Sequence, residues 1–232
     1  MYLLTETASP FALERWAAFF ANFGQFAKGF FYTLGISIGA LIVALLLGLI
    51  FGAMSSTHNK VLRGISRVYV ETFQNTPLLV QFVVVFYGIS ILTDGHVMIP
   101  ISLTAILCVG VYTGAYISEI IRTGIEAVPK GQTEAALSQG FTYADTMRII
   151  ILPQAVRTIL PPLTNQVVNL IKNTSTVAII SGADIMFTAK AWAYDTTNYV
   201  PAFAGAAFLY FIMCFPLATW ARRKEEENKK AY

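Results

Sequence analysis

From Gly29 to Ser56 the chain contains no Asp, Glu, Lys or Arg. About 20 consecutive apolar residues suffice for a helix to cross the hydrocarbon core of a bilayer, and this run is longer. A helix in a soluble core seldom needs so long an uncharged stretch, so the run sets the class: a protein of the membrane. Composition agrees, since 56% of the 232 residues are hydrophobic and only 12% are charged, against about 25% charged in average soluble domains. The net charge of +3 does not suggest a nucleic-acid binder. Such a protein carries a basic stripe, whereas here the basic residues gather just outside the apolar segments. Cys108 and Cys214 lie within separate apolar segments, with no nearby Cys or His to complete a metal pattern, and read as small buried hydrophobes. Glu6 and Glu14 stand where a cleavable signal would be basic, and the first apolar segment is too long for a signal core.

Five membrane segments are expected, about Phe26 to Ser55, Ile65 to Leu92, Ile99 to Ile121, Pro153 to Ser181 and Tyr199 to Ala221. The fourth is the most polar and is expected to break at Pro161-Pro162. Basic residues in short loops mark the cytoplasmic side. They are found after the first segment (Lys60, Arg63, Arg67), after the third (Arg122, Lys130, Arg148) and in the tail (Arg222, Arg223, Lys224, Lys229, Lys230). The N-terminus is therefore expected outside and the C-terminus in the cytoplasm. The organisation reads as an extracytoplasmic segment 1–25, one membrane domain 26–221 and a cytoplasmic tail 222–232, where Glu225, Glu226 and Glu227 read as a solvated end. Trp16, Trp192 and Trp220 fall near expected interfaces, as aromatic anchors do.

The loop at about 123–153 is longer than most connections in compact domains, and such loops usually carry function. Pro129 and Gly131 punctuate its start, Thr133 is a candidate N-cap, and Gly140 is placed to end a short helix in a left-handed turn. Ala135 and Ala136 would let that helix lie close against a partner surface. So short a helix is marginal alone, because nucleation is costly, and it needs something to dock on.

Glu134-Ala135-Ala136, three residues, Gly140, nine residues, Ile150, one residue and Leu152-Pro153 resembles, without a gap, the signature loop of binding-protein-dependent ABC importer permeases. The resemblance extends through Glu71 to Gln81, Tyr116 to Ile125 and Asn169 to Ser175, which look like segments of the polar amino-acid subfamily. Many relatives have Arg at the position of Gln74 and Gly at that of Asn75, a departure that leaves the substrate open. The resemblance implies an all-α membrane fold, the type I ABC importer transmembrane domain with a cytoplasmic coupling helix, in the bacterial cytoplasmic membrane. It also implies a second permease chain, identical or paralogous, and two cytoplasmic ATPase subunits that carry ATP and Mg. Each ATPase would grip one coupling loop at Glu134, Ala135, Ala136, Gly140 and Pro153. An extracytoplasmic binding protein would deliver the amino acid. The chain itself is then no enzyme and holds no cofactor or metal.

For the substrate path, Asn165, Asn169, Lys172 and Thr176 recur at helical spacing on the fourth segment. A Lys at a helix centre costs about 2.5–3.5 kcal/mol on insertion scales, so it faces a cavity or a partner. The second segment offers Glu71, Gln74, Asn75 and Gln81, and Pro77 there disrupts the bond normally given to the Phe73 carbonyl. Lys172 would meet a substrate carboxylate, with Gln74, Asn75, Asn169 and Asn173 as hydrogen-bonding groups. Alternatively Lys172 pairs with Glu71 or sits in a dimer interface. Glu119 and Arg122 are spaced for a local ion pair, Arg157 for snorkelling, and His58 and His96 receive no role. An ion-gradient transporter or channel is the competing class, but no paired halves of the inverted-repeat kind are seen. Neither a phosphate loop ending in Lys-Ser/Thr nor a hydrolase motif occurs.

Overall fold

The computed structural model describes residues 9–230, except for the side chains at 225 and 227–230. Glu6, and the side chains of Glu225, Glu227, Lys229 and Lys230, lie outside the described residues. Among the described residues the fold is all-helical. In chain order come α1 (Leu13–Ala21), α2 (Phe23–Ser55), α3 (Lys60–Gln74), α4 (Leu78–Val83), a π-helical turn (Val84–Gly88) and α5 (Ile89–Leu92). After α6 (Ile101–Glu126) follow α7 (Lys130–Ser138), α8 (Tyr143–Asp145) and a π-helical turn (Thr146–Ile151). The chain closes with α9 (Leu152–Asn173), a 3-10 turn (Thr174–Ile180), α10 (Ile185–Thr196) and α11 (Tyr199–Lys230).

The spine of the bundle is the pair α2 and α6. A Cβ on Gly39 would meet Ile106, one on Gly48 would meet Ile117, and one on Gly52 would meet Ile121. From the other side, Gly110 faces Val43 and Gly114 faces Leu47. Partners advance together along both chains, so the two helices run parallel, as expected for first and third crossings. In lipid no hydrophobic force holds helices together, and small residues that let backbones approach supply the packing instead. Ala40 and Ala44 of α2 and Ala105 and Val109 of α6 are buried in this seam, and Phe82 of α4 and Leu170 of α9 pack onto the same core.

Three helices are individually long and apolar enough to cross a membrane: α2, α6 and Tyr199–Lys224 of α11. The expected second crossing is not one straight helix. It consists of Lys60–Gln74 and Leu78–Leu92, bent by 96°. Pro77 lacks the N–H needed to carry the helix across, and it biases Thr76 away from helical geometry. Counted as one broken span, the pair is the fourth candidate. The expected fourth segment, in α9, has 22 residues and thus the length, but Arg157, Asn165, Asn169 and Lys172 make it too polar to qualify on composition.

Two further expectations are corrected. The α9 helix continues through Pro161 and Pro162 instead of breaking there. The prolines sit on a half-buried to exposed stretch, while Ile159 and Thr164 on either side are buried and hold the helix in place. The α-helical pattern ends instead at Asn173, where the 3-10 turn begins. Trp192 is not an interfacial anchor, because it is only 5% exposed. Its ring stands edge-on to Phe19 at 6.0 Å and to Phe26 at 5.7 Å, in a second core that fastens α1 and α10 to α2 and α11.

The α2–α6 seam predicts a matched pair of results. In Gly48→Ala the new Cβ would stand 2.4 Å from Ile117 Cγ2. Overpacking of this kind costs about 1–3 kcal/mol, so the apparent melting temperature in nanodiscs should fall. Gly35→Ala, with nothing within 4 Å, should melt like the unchanged chain. Equal melting of the two variants would contradict the seam.

Candidate functional site

The signature loop folds as a short lever. Pro129 precedes the first residue of α7, so Thr133 lies inside the helix rather than at its cap. The fixed φ of Pro129, −56°, pre-sets the chain to enter the helix earlier. The other end closes as expected: Gly140 has φ +87°, its N–H bonds the Leu137 carbonyl at 3.0 Å, and the Phe141 N–H bonds that of Ala136 at 3.1 Å. This 6→1 and 5→2 pattern is a Schellman motif, and it favours glycine at the left-handed position. Of the motif residues only Ala136 is buried, whereas Glu134, Ala135 and Gly140 face outward. The lever packs against Thr146–Ile151, which leads into α9 with Pro153 in its first turn. Between α7 and the bundle lies a cavity of about 600 Å³ lined by His58, Glu126, Glu134 and Tyr143 among others. His58, given no role from sequence, stands edge-on to Tyr143 there.

At the same end of the bundle, α3 is amphipathic the wrong way round for a soluble protein. Its apolar residues Val61, Ile65 and Val68 are exposed, while polar side chains turn inward. Ser66 Oγ donates to the Phe51 carbonyl at 2.7 Å, Tyr69 Oη to that of Val111 at 2.7 Å, and Gln74 Nε2 to that of Ala115 at 3.2 Å. Arg63, Arg67, Glu71 and Gln74 line a cavity of about 420 Å³ with Glu119 and Arg122 of α6. The expected Glu119–Arg122 pair is present, and Arg122 also holds Glu126 at 2.5 Å. Arg67 pairs with Glu71 at 2.7 Å.

The break after Gln74 sits beside Val111 to Ala115, the middle of α6. Pro77 leaves carbonyls there without helical partners, as the sequence implied, yet they are not open to a ligand. Gln81 Nε2 donates to the Phe73 carbonyl at 3.2 Å and to the Thr76 carbonyl at 3.0 Å. Asn75 Nδ2 turns back onto the Glu71 carbonyl at 2.7 Å. Both amides stabilise the bend.

Residues 44–225 match the family model described as binding-protein-dependent transport system inner membrane component. The chain belongs to this family. A relative in Bacillus subtilis (strain 168), a probable glutamine ABC transporter permease protein, is 37% identical over 216 residues, covering 92% of this chain and 97% of that one. A glutamate/aspartate import permease protein of Escherichia coli (strain K12) is 33% identical over 208 residues, covering 82% and 85%. Among solved structures, an amino acid ABC transporter with histidines superposes with a TM-score of 0.84 at 31% identity, covering 91% of this chain and 98% of that one. A methionine ABC transporter in an inward-facing conformation shares the fold at a TM-score of 0.69 and 15% identity, covering 88% and 98%.

In this permease the expected substrate-path residues lie on two separate faces within one chain. Glu71 and Gln74 share the α3–α6 cavity. Lys172 lies on α9 in a groove of about 310 Å³ against Met186, Phe203 and Tyr210. Asn165 and Lys172 are exposed, and Asn169 and Asn173 are half-buried. Thr176 has left the α-helical spacing, because it falls in the 3-10 turn. The alternative Lys172–Glu71 pair is not formed, since Glu71 is held by Arg67.

Sequence reasoning missed Asp184. It is fully buried, caps α10 by accepting the Met186 and Phe187 N–H groups, and accepts the Tyr210 hydroxyl at 3.1 Å. Through Tyr210 it fixes one wall of the Lys172 groove. The available signal was an Asp directly before an apolar run, the usual N-cap pattern.

The cap at the bend is testable. Gln81→Leu keeps volume but strips the donors from two carbonyls, which costs about 1–3 kcal/mol, and should lower the melting temperature in nanodiscs. Unchanged melting would show that Gln81 does not hold the bend.

Proposed function

We propose that this permease forms the membrane passage of an ATP-driven importer of polar amino acids, with its N-terminus outside and its C-terminus in the cytoplasm. The amino-acid class follows from the glutamine and glutamate/aspartate permeases it resembles. Its working partners are a second permease chain, two cytoplasmic ATPase subunits carrying ATP and Mg, and an extracytoplasmic binding protein. The observation that carries the proposal is the lever. An exposed helix of nine residues, presented by a Schellman turn and seated on the turn that opens α9, is built to receive a push from outside the chain. ATPase closure would bear on Glu134, Ala135 and Gly140 and pass through Ala136 and Pro153 into α9. Nucleotide then biases two states of the bundle, open outward and open inward.

Lys172 supplies the substrate contact. It is exposed in the last turn of α9, on the wall of a groove, and no carboxylate among the described residues pairs with it. A cation so placed calls for a water-lined passage on that face, where it meets the substrate carboxylate while Asn169 and Asn173 offer amides. Gln74, Asn75 and Glu71 contribute from the α3 side, Asn75 chiefly by shaping the bend.

Two outcomes test these roles in proteoliposomes holding the whole importer. A charged hydrogen bond is worth about 1.5–3 kcal/mol, so Lys172→Ala should weaken half-saturation of uptake by roughly tenfold to a hundredfold. Unchanged uptake and substrate preference would remove Lys172 from the path. Gly140→Val places a β-branched residue at φ +87°, at a strain of about 1–3 kcal/mol. It should insert normally yet lose most ATP-coupled uptake, with Gly140→Ala milder. Full uptake by Gly140→Val would argue against the lever.

A further inference from the structure

Asp184 carries a charge that its structural role does not require. As the N-cap of α10 it accepts the Met186 and Phe187 N–H groups, a task that the neutral oxygen of Ser, Thr or Asn performs as well. A fully buried carboxylate is costly unless it is paired, and no Lys or Arg among the described residues pairs with it. Burial pushes its carboxyl up to about 6, so the group remains mostly ionised at neutral pH.

This charge stands directly behind the Lys172 groove. Two residues that line the groove, Met186 and Tyr210, bond to the same oxygen of Asp184. The Met186 N–H reaches it at 3.2 Å and the Tyr210 hydroxyl at 3.1 Å. Lys172, on the α9 side, has no carboxylate partner among the described residues. The groove therefore has an unpaired cation in its lining and an unpaired anion one hydrogen bond behind its α10–α11 side. That side is finished by Phe203, Ala206 and Ala207, with no second cation and no carboxylate in the lining itself. An ammonium group is drawn to the face of an aromatic ring by the ring quadrupole. A carboxylate that accepts the hydroxyl of that ring polarises it in the same sense. At about 310 Å³ the groove is at the small end of the range for ligand sites.

We propose that Tyr210 is a second specificity-determining contact of this groove, its ring taking the α-ammonium of the substrate while Lys172 takes the α-carboxylate. Asp184 acts through Tyr210 as a positioning residue. This rests on the substrate role of Lys172 proposed above. The groove then reads the part common to all α-amino acids, and a carboxylate without an amino group satisfies only half of it.

The test uses the complete importer in nanodiscs without the binding protein, so that the preference of the permease itself is read. Saturation-transfer NMR compares L-glutamine with glutaramate, which lacks the α-amino group, and with γ-aminobutyramide, which lacks the α-carboxylate. If the importer carries L-glutamate instead, glutarate and γ-aminobutyrate take their places. The unchanged importer should bind the amino acid about tenfold more tightly than the deaminated compound. Asp184→Asn keeps an N-cap and removes the charge. It should close most of that gap by weakening the amino acid alone, and Tyr210→Leu should do the same. A structural role would instead weaken both compounds alike, and that result overturns the proposal. So does equal binding of the two compounds by the unchanged importer, a comparison that needs no variant to fold, or a gap that survives both substitutions. Failure of the Lys172 reading is seen separately, as γ-aminobutyramide binding as tightly as the amino acid, and it removes the site together with its carboxylate contact.

Discussion

The close parallel contact of α2 and α6 is the constraint on which the rest of the permease depends. Gly48 against Ile117 and Gly114 against Leu47 bring two backbones together along most of their length. This contact fixes α6 as a rigid reference. The α3 polar groups then find their partners on it, with Tyr69 on the Val111 carbonyl and Gln74 on that of Ala115. Ile159 of α9 packs against Gly124 at the lever end. If the spine slipped by one residue, each of these donors would lose its acceptor, and in hydrocarbon no water would replace it.

Around this spine the chain keeps its unusual backbone where side chains can serve it. The 96° bend in the second crossing strands carbonyls that Gln81 takes up. The turn from the 3-10 segment into α10 is capped by Asp184, which is in turn anchored by Tyr210. Lys172 is charged, lies on a groove wall and has no carboxylate partner among the described residues. Polar groups that the fold satisfies make the scaffold, and those it leaves over are the ones available to a substrate or a second chain.

In the proposed importer the lever would join this scaffold to the ATPase. Its helix is too short to be stable by propensity alone. It persists because Pro129 starts it, Gly140 ends it and Ala136 seats it, and the rest of the motif remains exposed. A rigid element docked on the entry to α9 can pass on a displacement that a flexible loop would absorb.

Much of this was legible in the sequence because it depends on local chemistry. The uncharged run made α2 a crossing, and the Pro129-to-Gly140 punctuation outlined the lever, with the left-handed glycine at the expected position. The Glu-Ala-Ala spacing identified the family, and Glu119 and Arg122 pair at their helical spacing. What the sequence left undecided depends on neighbours distant in the chain. Pro161-Pro162 looked like a break, but buried Ile159 and Thr164 carry the helix past it. Trp192 looked like an anchor, but Phe19 and Phe26 enclose it. The Phe73 carbonyl looked free, but Gln81 reaches back eight residues to take it. A Glu71–Lys172 pair was one reading of the sequence, but within one chain the two line separate cavities and Glu71 is held by Arg67. Periodicity and backbone chemistry act within a few residues and so fix where helices begin and end. Which polar group is left unpaired is settled only when the helices pack.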